Sequence, residues 1–229
     1  MAEALRIAIV GAESTGKTTL AAALAARLAQ EHRTRVAWVP EVLREWCTHT
    51  GRTPLAHEQA SILRAQHERV RAAAAAHDIV VCDTTALMTA VYSRLVFGDR
   101  SLDERAVALH RDVDLTLLTA LDLPWVPDGH QRDGPQVREP VDRALRELMA
   151  AHGIGYAVVG GRGAARVDNA LAAAAPLLRG RGAPAADGPA SETPARGLFT
   201  RLGQGDRGPR RWACECCVPE YERASRRPR

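Results

Sequence analysis

The chain has 229 residues, 46% hydrophobic and only 4% aromatic, which suffices for one α/β domain whose core rests on Ala, Leu and Val. No apolar run approaches the roughly 20 residues of a membrane-spanning helix, and the five cysteines are not spaced as a disulfide framework. A cytoplasmic protein without a membrane partner is predicted. Residues 1–179 carry 21 basic and 21 acidic side chains, so the net charge of +4 comes from residues 180–229. Nucleic-acid binding by the main body is therefore not expected.

Strands and helices alternate along the first 179 residues. Short apolar runs predict strands at 5–10, 35–39, 79–82, 115–119 and 156–159. Helices are predicted at about 16–31, 41–50, 56–76, 84–97, 101–110, 137–151 and 163–178. This alternation is typical of βαβ units. We therefore predict a three-layer α/β fold with a mostly parallel five-stranded sheet flanked by helices.

The composition changes after residue 179. Of the 50 residues from 180 to 229, 13 are Gly or Pro and ten are Arg, so we predict a disordered tail beyond a domain at 1–179. Near its end lie Cys214, Cys216 and Cys217. They are candidates for a soft metal, but they lack the spaced C-x-x-C pairs of zinc sites, and an oxidation-prone tail is the favoured interpretation.

A glycine-rich segment, 11–18, joins the first strand to the first helix. It matches G-x-x-x-x-G-K-[ST], in which glycines let backbone N–H groups point at phosphate oxygens and the following helix adds its positive end. Lys17 is suited to bridge the β- and γ-phosphates, and the Thr18 hydroxyl is suited to Mg²⁺. The predicted nucleotide-binding residues are Gly11, Glu13, Ser14, Thr15, Gly16, Lys17, Thr18 and Thr19. This motif predicts a P-loop NTPase fold that binds ATP with Mg²⁺.

Lysine usage supports the same motif. Of the 31 basic residues, 30 are arginine, and Lys17 is the single lysine. Arginine therefore serves wherever a generic positive charge is needed. The one position with lysine is the one where a compact ammonium among phosphates is required.

Two acids follow predicted strands at the edge where a parallel sheet binds ligands. Asp83 ends the third strand, and Glu41 follows the second after Pro40. Either acid can accept the proton of an acceptor hydroxyl, and Asp83 together with Thr18 can hold Mg²⁺. The alternatives are a helix N-cap for Asp83 and an ordinary first-turn acid for Glu41.

A long loop, 122–134, follows the fourth strand. Loops of this length inside a compact domain are usually functional. Gly129 and Gly134 permit movement, and Arg132 and Arg138 can bring positive charge to a transferring phosphate. We predict a lid that contributes Arg132 to the site; a solvated surface loop is the alternative.

These motifs together resemble the kinase domain of NadR-type proteins, a ribosylnicotinamide kinase. The resemblance covers about residues 4–179 and rests on segments 11–18, 40–45, 82–85 and 121–132 and on Gln66. It implies that Lys17 and Thr18 handle ATP and Mg²⁺. Glu41 and Asp83 would then lie near the acceptor hydroxyl and the metal, and Arg132 would belong to the lid.

The chain departs from that family in two ways. It starts directly at the phosphate-loop strand, without the adenylyltransferase domain that precedes the kinase in complete NadR-type proteins. It also has Pro40 where the family's nicotinamide pocket uses an aromatic, and 67–78 holds no second aromatic. Trp38, Trp46, Tyr92 and Trp125 are the available substitutes.

The predicted function is therefore an ATP-dependent kinase that transfers the γ-phosphate to a nucleoside hydroxyl. Ribosylnicotinamide, in NAD metabolism, is the first choice of acceptor. A kinase for another nucleoside is one alternative. A regulatory or partner-binding protein that uses the phosphate loop as a switch is the other.

Overall fold

The structure of the chain, a computed structural model, describes residues 3–126 and 134–182. The strands are β1 (Leu5–Val10), β2 (Val36–Val39), β3 (Ile79–Asp83), β4 (Leu115–Thr119) and β5 (Ala157–Val159). The helices are α1 (Lys17–His32), α2 (Val42–Thr50), α3 (Gln59–Ala76), α4 (Ala86–Phe97), α5 (Asp103–His110), α6 (Arg138–Ala151) and α7 (Gly163–Gly182). Short 3-10 turns at Ala56–Glu58 and Pro135–Val137 precede α3 and α6.

The sheet has the order β2-β3-β1-β4-β5, and every pair of neighbouring strands is parallel. The predicted five-stranded α/β fold is confirmed. The central strand is β1, whose Ile9 lies opposite Asp83 in β3 and opposite Leu117 in β4. The carboxyl ends of β1, β3 and β4 therefore meet at one edge, where the chain crosses from one half of the sheet to the other.

Alternate residues of β1 supply the two helical layers with core contacts. Ile7 and Ile9 belong to a buried cluster with Leu24 of α1 and Ala170 of α7. Val10 belongs to the opposite cluster, which is built mainly by α4, α5 and α6. In the described part of the chain, the largest fully buried side chains are all Leu, Ile or Met. A core without large aromatics is what the low aromatic content predicts.

Most predicted helices match to within two residues, and two differ more clearly. The helix predicted from residue 56 begins with a 3-10 turn, because the Glu58 carboxylate accepts the Leu55 N–H at 2.8 Å and pairs with Arg52 at 2.7 Å. The last helix, α7, continues to Gly182 rather than ending at 178. The tail predicted beyond residue 179 lies almost wholly outside the described residues. Among those described, no helix is both long and apolar enough to cross a bilayer.

Candidate active site

The phosphate loop has a shape that two glycines make possible. Gly11 has a φ of 147°, and a Cβ there would collide with the Thr119 hydroxyl of β4. Gly16 precedes α1 with a φ of 76°, in the left-handed region. Ser14 also has a positive φ, 54°. The chain therefore curls tightly between β1 and α1, as the motif predicts, and the amino end of α1 faces the inside of the curl.

Hydroxyl groups fasten this loop to the sheet. The Thr15 hydroxyl donates to the Ala12 carbonyl at 2.8 Å and lies 2.7 Å from the Thr119 hydroxyl. Thr119 in turn donates to the Val10 carbonyl at 3.2 Å. Thr119 was not predicted from the sequence, because nothing near it in sequence marks the last residue of β4 as a neighbour of the loop.

Lys17 lies in the first turn of α1, with 8% of its surface exposed. Its ammonium donates to the Ala12 carbonyl at 2.8 Å, so the side chain folds back over the loop. Thr18 is half-buried beside it, whereas Thr19 is exposed. The predicted nucleotide-binding residues from Gly11 to Thr18 thus form one continuous structure, with Thr19 on its outer side.

Asp83 ends β3 next to this loop and is only 1% exposed. Burial raises the pKa of its carboxyl group, while a hydrogen bond from Thr18 and the charges of Lys17 and Arg44 oppose that rise. Its Oδ1 atom is buried and has no hydrogen-bond partner among the described residues. Because a buried carboxylate oxygen without a partner is costly, this atom marks a place for a cation, a water molecule or a proton.

The alternative role for Asp83, a helix N-cap, belongs to another residue. Thr85 is the N-cap of α4, and its hydroxyl accepts the Leu87 N–H at 3.4 Å. The same hydroxyl lies 3.1 Å from Nδ1 of His110, whose Nε2 is 2.8 Å from the Thr116 hydroxyl. Asp83 is therefore not needed for helix capping.

Glu41 lies at the start of α2, beyond the carboxyl end of β2. It is the N-cap residue of α2 but makes no side-chain capping hydrogen bond, and 11% of its side chain is exposed. Its carboxylate is 3.7 Å from Nε of Arg44. The side chain is thus held near the site edge by a cation rather than used to cap the helix.

Gln66 of α3 holds the backbone on both sides of Glu41. The amide is 2% exposed; its Oε1 accepts the Val42 N–H at 2.8 Å, and its Nε2 donates to the Pro40 carbonyl at 3.4 Å. The resemblance drew attention to Gln66 without giving it a role. Its contacts show that it sets the direction in which the chain leaves β2.

The base of the predicted lid contacts the phosphate loop. The Ser14 hydroxyl accepts the Val126 N–H at 2.8 Å and donates to the Val126 carbonyl at 3.1 Å. Leu123 approaches Gly16 so closely that an added Cβ would lie 3.0 Å from its Cδ1. Residues 127–133, among them Arg132, lie outside the described part of the chain, so the lid and its arginine stay predictions.

Arg138, at the other end of that loop, is buried at 8% exposure. Its Nη1 donates to the Leu123 carbonyl at 2.9 Å, while Nε and Nη2 have no partner within the described residues. A second buried arginine, Arg166 of α7, donates to the Thr15 carbonyl of the phosphate loop at 3.0 Å. Arg166 was not predicted from the sequence, since it lies 151 residues from Thr15 and no motif includes it.

The cysteines of the domain are packing residues. Cys47 and Cys82 are both buried and unpaired as disulfides. Burial raises the pKa of the Cys82 thiol to about 12, which keeps it protonated. No group of three or more His, Cys, Asp or Glu side chains in the described part of the chain could hold a metal ion. The three tail cysteines lie outside that part.

A central glycine loop before α1, parallel strands on both sides of it and a buried acid at the end of the adjoining strand define the P-loop NTPase fold. A family model described as an AAA domain matches residues 6–166, and the chain belongs to that family. No curated protein matches it in sequence.

Solved structures share the fold. A NadR protein in complex with NR has a TM-score of 0.61 and 20% identity, and the match covers 75% of this chain and 50% of that one. A NadR protein in complex with NAD and AMP-PNP has a TM-score of 0.57 and 21% identity, with the same coverage. A thymidylate kinase from Ehrlichia chaffeensis has a TM-score of 0.51 and 16% identity, with 71% of this chain and 89% of that chain covered.

The predicted resemblance to the NadR type is thus confirmed. At these identities, the likeness establishes the fold. The chain spans about half the length of the NadR proteins that it matches.

Proposed function

We propose that the chain is an ATP-dependent kinase, a phosphotransferase that moves the γ-phosphate of ATP onto an alcohol group of a nucleoside. One observation carries this proposal. The buried Asp83 carboxylate meets the phosphate loop at Thr18 and leaves Oδ1 without a partner among the described residues. Buried polar atoms without a hydrogen-bond partner are few in folded proteins, and beside a phosphate-binding loop a bound cation or substrate hydroxyl supplies a partner for this one. The shared fold with NadR and with a thymidylate kinase supports the same choice.

In this proposal the phosphate loop binds the triphosphate. Backbone N–H groups from Glu13 to Thr18 and the amino end of α1 receive the β- and γ-phosphates, and Lys17 leaves the Ala12 carbonyl to contact them. Phosphoryl transfer needs alignment and charge stabilisation more than covalent help from the protein. A preformed loop of this kind supplies both.

The oxygen donors beside the loop fit Mg²⁺. Thr18 offers a hydroxyl and Asp83 a carboxylate with an unshared oxygen, and hard oxygen ligands of this kind are what Mg²⁺ takes from proteins. The bound ion would neutralise charge on the phosphates. Thr18 and Asp83 are thus the residues that we propose hold it.

The acceptor hydroxyl would lie over the carboxyl ends of β2 and β3, within reach of Glu41 and Asp83. Either carboxylate can orient the hydroxyl and take its proton. Burial raises the pKa of Asp83, which favours proton uptake by this carboxylate. Arg132, from the predicted lid, would add positive charge as the loop closes.

Ribosylnicotinamide is the first acceptor to test, and the reaction would then belong to NAD metabolism in the cytoplasm. Trp46 and Trp125, two possible substitutes for the missing stacking residues, differ in whether their rings are free to contact an acceptor. The Trp46 ring is already covered by the Arg52 guanidinium, 4.9 Å from its centroid. Trp125 lies in the base of the predicted lid, and its buried indole Nε1 has no partner among the described residues. Trp125 is the better candidate for a ring that contacts the acceptor.

The test is ADP release from Mg·ATP by the purified chain, with nicotinamide riboside and the common ribo- and deoxyribonucleosides as acceptors. Stimulation by nicotinamide riboside would support the full proposal, and stimulation by another nucleoside would keep the kinase and change its acceptor. Nucleotide binding without stimulation by any acceptor would overturn the kinase and favour the regulatory alternative. The matched control is Lys17→Met, which should lower turnover by orders of magnitude while its circular dichroism stays unchanged.

A further inference from the structure

Arg166 joins three loops at the carboxyl edge of the sheet. The side chain comes from the first turn of α7 and is 4% exposed. Its Nη2 donates to the carbonyls of Thr15, in the phosphate loop, at 3.0 Å and of Ala120, after β4, at 3.3 Å. Its Nη1 donates to the Gly161 carbonyl, after β5, at 2.8 Å and to Asp122 Oδ1 at 2.7 Å. One guanidinium therefore binds the segments that follow β1, β4 and β5.

Asp122 completes the junction. Its second oxygen, Oδ2, accepts the Gly161 N–H at 2.5 Å. Partial burial acts against ionisation of this carboxyl group, but the hydrogen bonds from Arg166 and from the Gly161 N–H lower its pKa. Asp122 therefore neutralises the guanidinium through one charge-assisted hydrogen bond and joins it to the Gly161 N–H.

The contact with Thr15 matters because of how a phosphate loop is built. A loop whose N–H groups converge on a ligand must turn carbonyl groups outward, and buried outward carbonyls need donors. Two donors serve the Ala12 carbonyl, namely the Thr15 hydroxyl and Lys17. The Thr15 carbonyl, just before Gly16, receives Arg166. Lys17 must turn to reach phosphate in the proposed function, whereas Arg166 has no reason to move.

We propose that Arg166 is a positioning residue for the nucleotide: by binding the Thr15 carbonyl and the loops after β4 and β5 together, it keeps the phosphate loop in its phosphate-binding form. This inference rests on the nucleotide binding of the proposed function. Arg166 would support that binding by holding the Thr15 carbonyl, without contacting the nucleotide itself. The two hydrogen bonds between Ser14 and Val126 tie the same two segments at a second point. The curl and the base of the predicted lid are thus held as one body.

A second buried pair provides a matched control. Nη2 of Arg94 in α4 lies 2.5 Å from Oδ2 of Asp103 in α5, and the two side chains are only 13% and 12% exposed. This pair joins two helices, and within the described residues its hydrogen bond reaches no loop at the site edge. Replacing Arg94 or Arg166 by Lys keeps the positive charge but removes the planar fork of hydrogen-bond donors. Both variants should lose stability, but only Arg166→Lys should lose nucleotide affinity.

The measurement is calorimetric titration of the full chain with ADP. We expect Arg166→Lys to bind ADP about tenfold to a hundredfold more weakly, the loss typical of removing hydrogen bonds from a charged group. Arg94→Lys should bind like the unaltered chain. In kinetic assays with ATP and the nucleoside that best stimulates ADP release, Arg166→Lys should raise the KM for ATP and leave the KM for that acceptor unchanged. Asp122→Asn, which loosens Arg166, should shift ADP affinity in the same direction by a smaller factor, and it serves as the test if Arg166→Lys does not fold.

The inference would be overturned, and the proposed function left intact, if Arg166→Lys bound ADP as tightly as Arg94→Lys does. If Arg166→Lys does not fold, the same comparison is made with Asp122→Asn. A joint rise in KM for ATP and KM for the acceptor would also overturn the inference, since that is the result of a general loosening. Absence of ADP binding by the unaltered chain would overturn the proposed function and this inference together.

Discussion

The two ends of β3 each carry an aspartate, and the two side chains are in opposite states. Asp78 precedes the strand and is saturated: Oδ1 accepts from Arg35, and Oδ2 accepts from the Thr34 hydroxyl and from the Arg35 backbone and side chain. Asp83 ends the strand, is buried, and keeps Oδ1 without a partner among the described residues. The hydrogen bonds from Arg35 and Thr34 lower the pKa of Asp78, whereas burial raises the pKa of Asp83.

The difference separates a carboxylate whose oxygens both accept hydrogen bonds from one with an oxygen unpaired among the described residues, which the proposed function uses for chemistry. Asp78, just before the strand, is fully hydrogen-bonded, whereas Asp83, the last residue of the strand, keeps an oxygen that no described residue pairs. In an open parallel sheet, only the second position faces the ligand edge.

The contrast predicts that Asp83→Asn abolishes most activity and Asp78→Asn does not. Asn keeps the shape of the side chain but loses its charge and its capacity to accept a proton, so kcat/KM should fall by about 10²–10⁴-fold. ADP release with the best acceptor measures it, and Asp78→Asn is the control with the same chemical change. Equal kcat/KM values in the two variants would show that the unpaired oxygen of Asp83 has no part in catalysis.

A buried histidine behind the site gives the second prediction. Burial lowers the pKa of His110 from 6.5 to about 4, so the folded chain holds it neutral. The stability that this contributes is present above pH 6.5 and is lost as the pH falls toward 4. Between pH 6.5 and pH 5 the free energy of unfolding should fall by about 2 kcal/mol through this group.

Urea unfolding across that range checks the value, and His110→Gln should remove this part of the pH dependence whatever its own stability at pH 7. A variant with the same slope as the unaltered chain would mean that His110 is not the group responsible. His67, whose pKa burial also lowers, provides the comparison variant His67→Gln.

The smallest expected effect is the direction in which Asp83 and Asp78 make the free energy of unfolding depend on pH. The pKa of Asp83 is raised above its ordinary value of 3.8, so its stabilising contribution is present below that value and is lost as the pH rises through the folded pKa. The pKa of Asp78 is lowered, so its contribution is present above 3.8 and is lost as the pH falls through the folded pKa.

Unfolding midpoints of the two Asn variants from pH 3 to pH 8 test these signs, with the unaltered chain alongside. Relative to that chain, Asp83→Asn should gain stability as the pH rises, and Asp78→Asn should lose it. If both variants change in the same direction, the two carboxylates do not differ in the way that their surroundings indicate.

The sequence predicted what depends on local pattern. The five strands follow from short apolar runs, and the loop at 11–18 follows from a motif whose glycines have a mechanical reason. Asp83 could be placed at the ligand edge because the ends of parallel strands share one edge. The strand order, by contrast, depends on which non-adjacent runs pair, and no local pattern encodes that β1 lies between β3 and β4.

The contacts that the sequence did not predict are all long-range. Thr119 meets Thr15 across 104 residues, and Arg166 meets it across 151. No local sequence feature marks Thr119 within its strand or Arg166 within its helix. Their contacts with the phosphate loop form only when the sheet brings the ends of β1, β4 and β5 together. For this reason the sequence does not distinguish Arg166 from the other arginines among the 30.

The single lysine, folded onto the Ala12 carbonyl, also makes the chain unusually simple to label. An acylating reagent selective for primary amines has one side-chain target, and that target lies inside the phosphate loop. A mass increment at Lys17 would then report directly whether the loop is open to reagent or protected by a bound molecule. The composition that singled out this residue in the sequence thus also provides a built-in chemical reporter of occupancy.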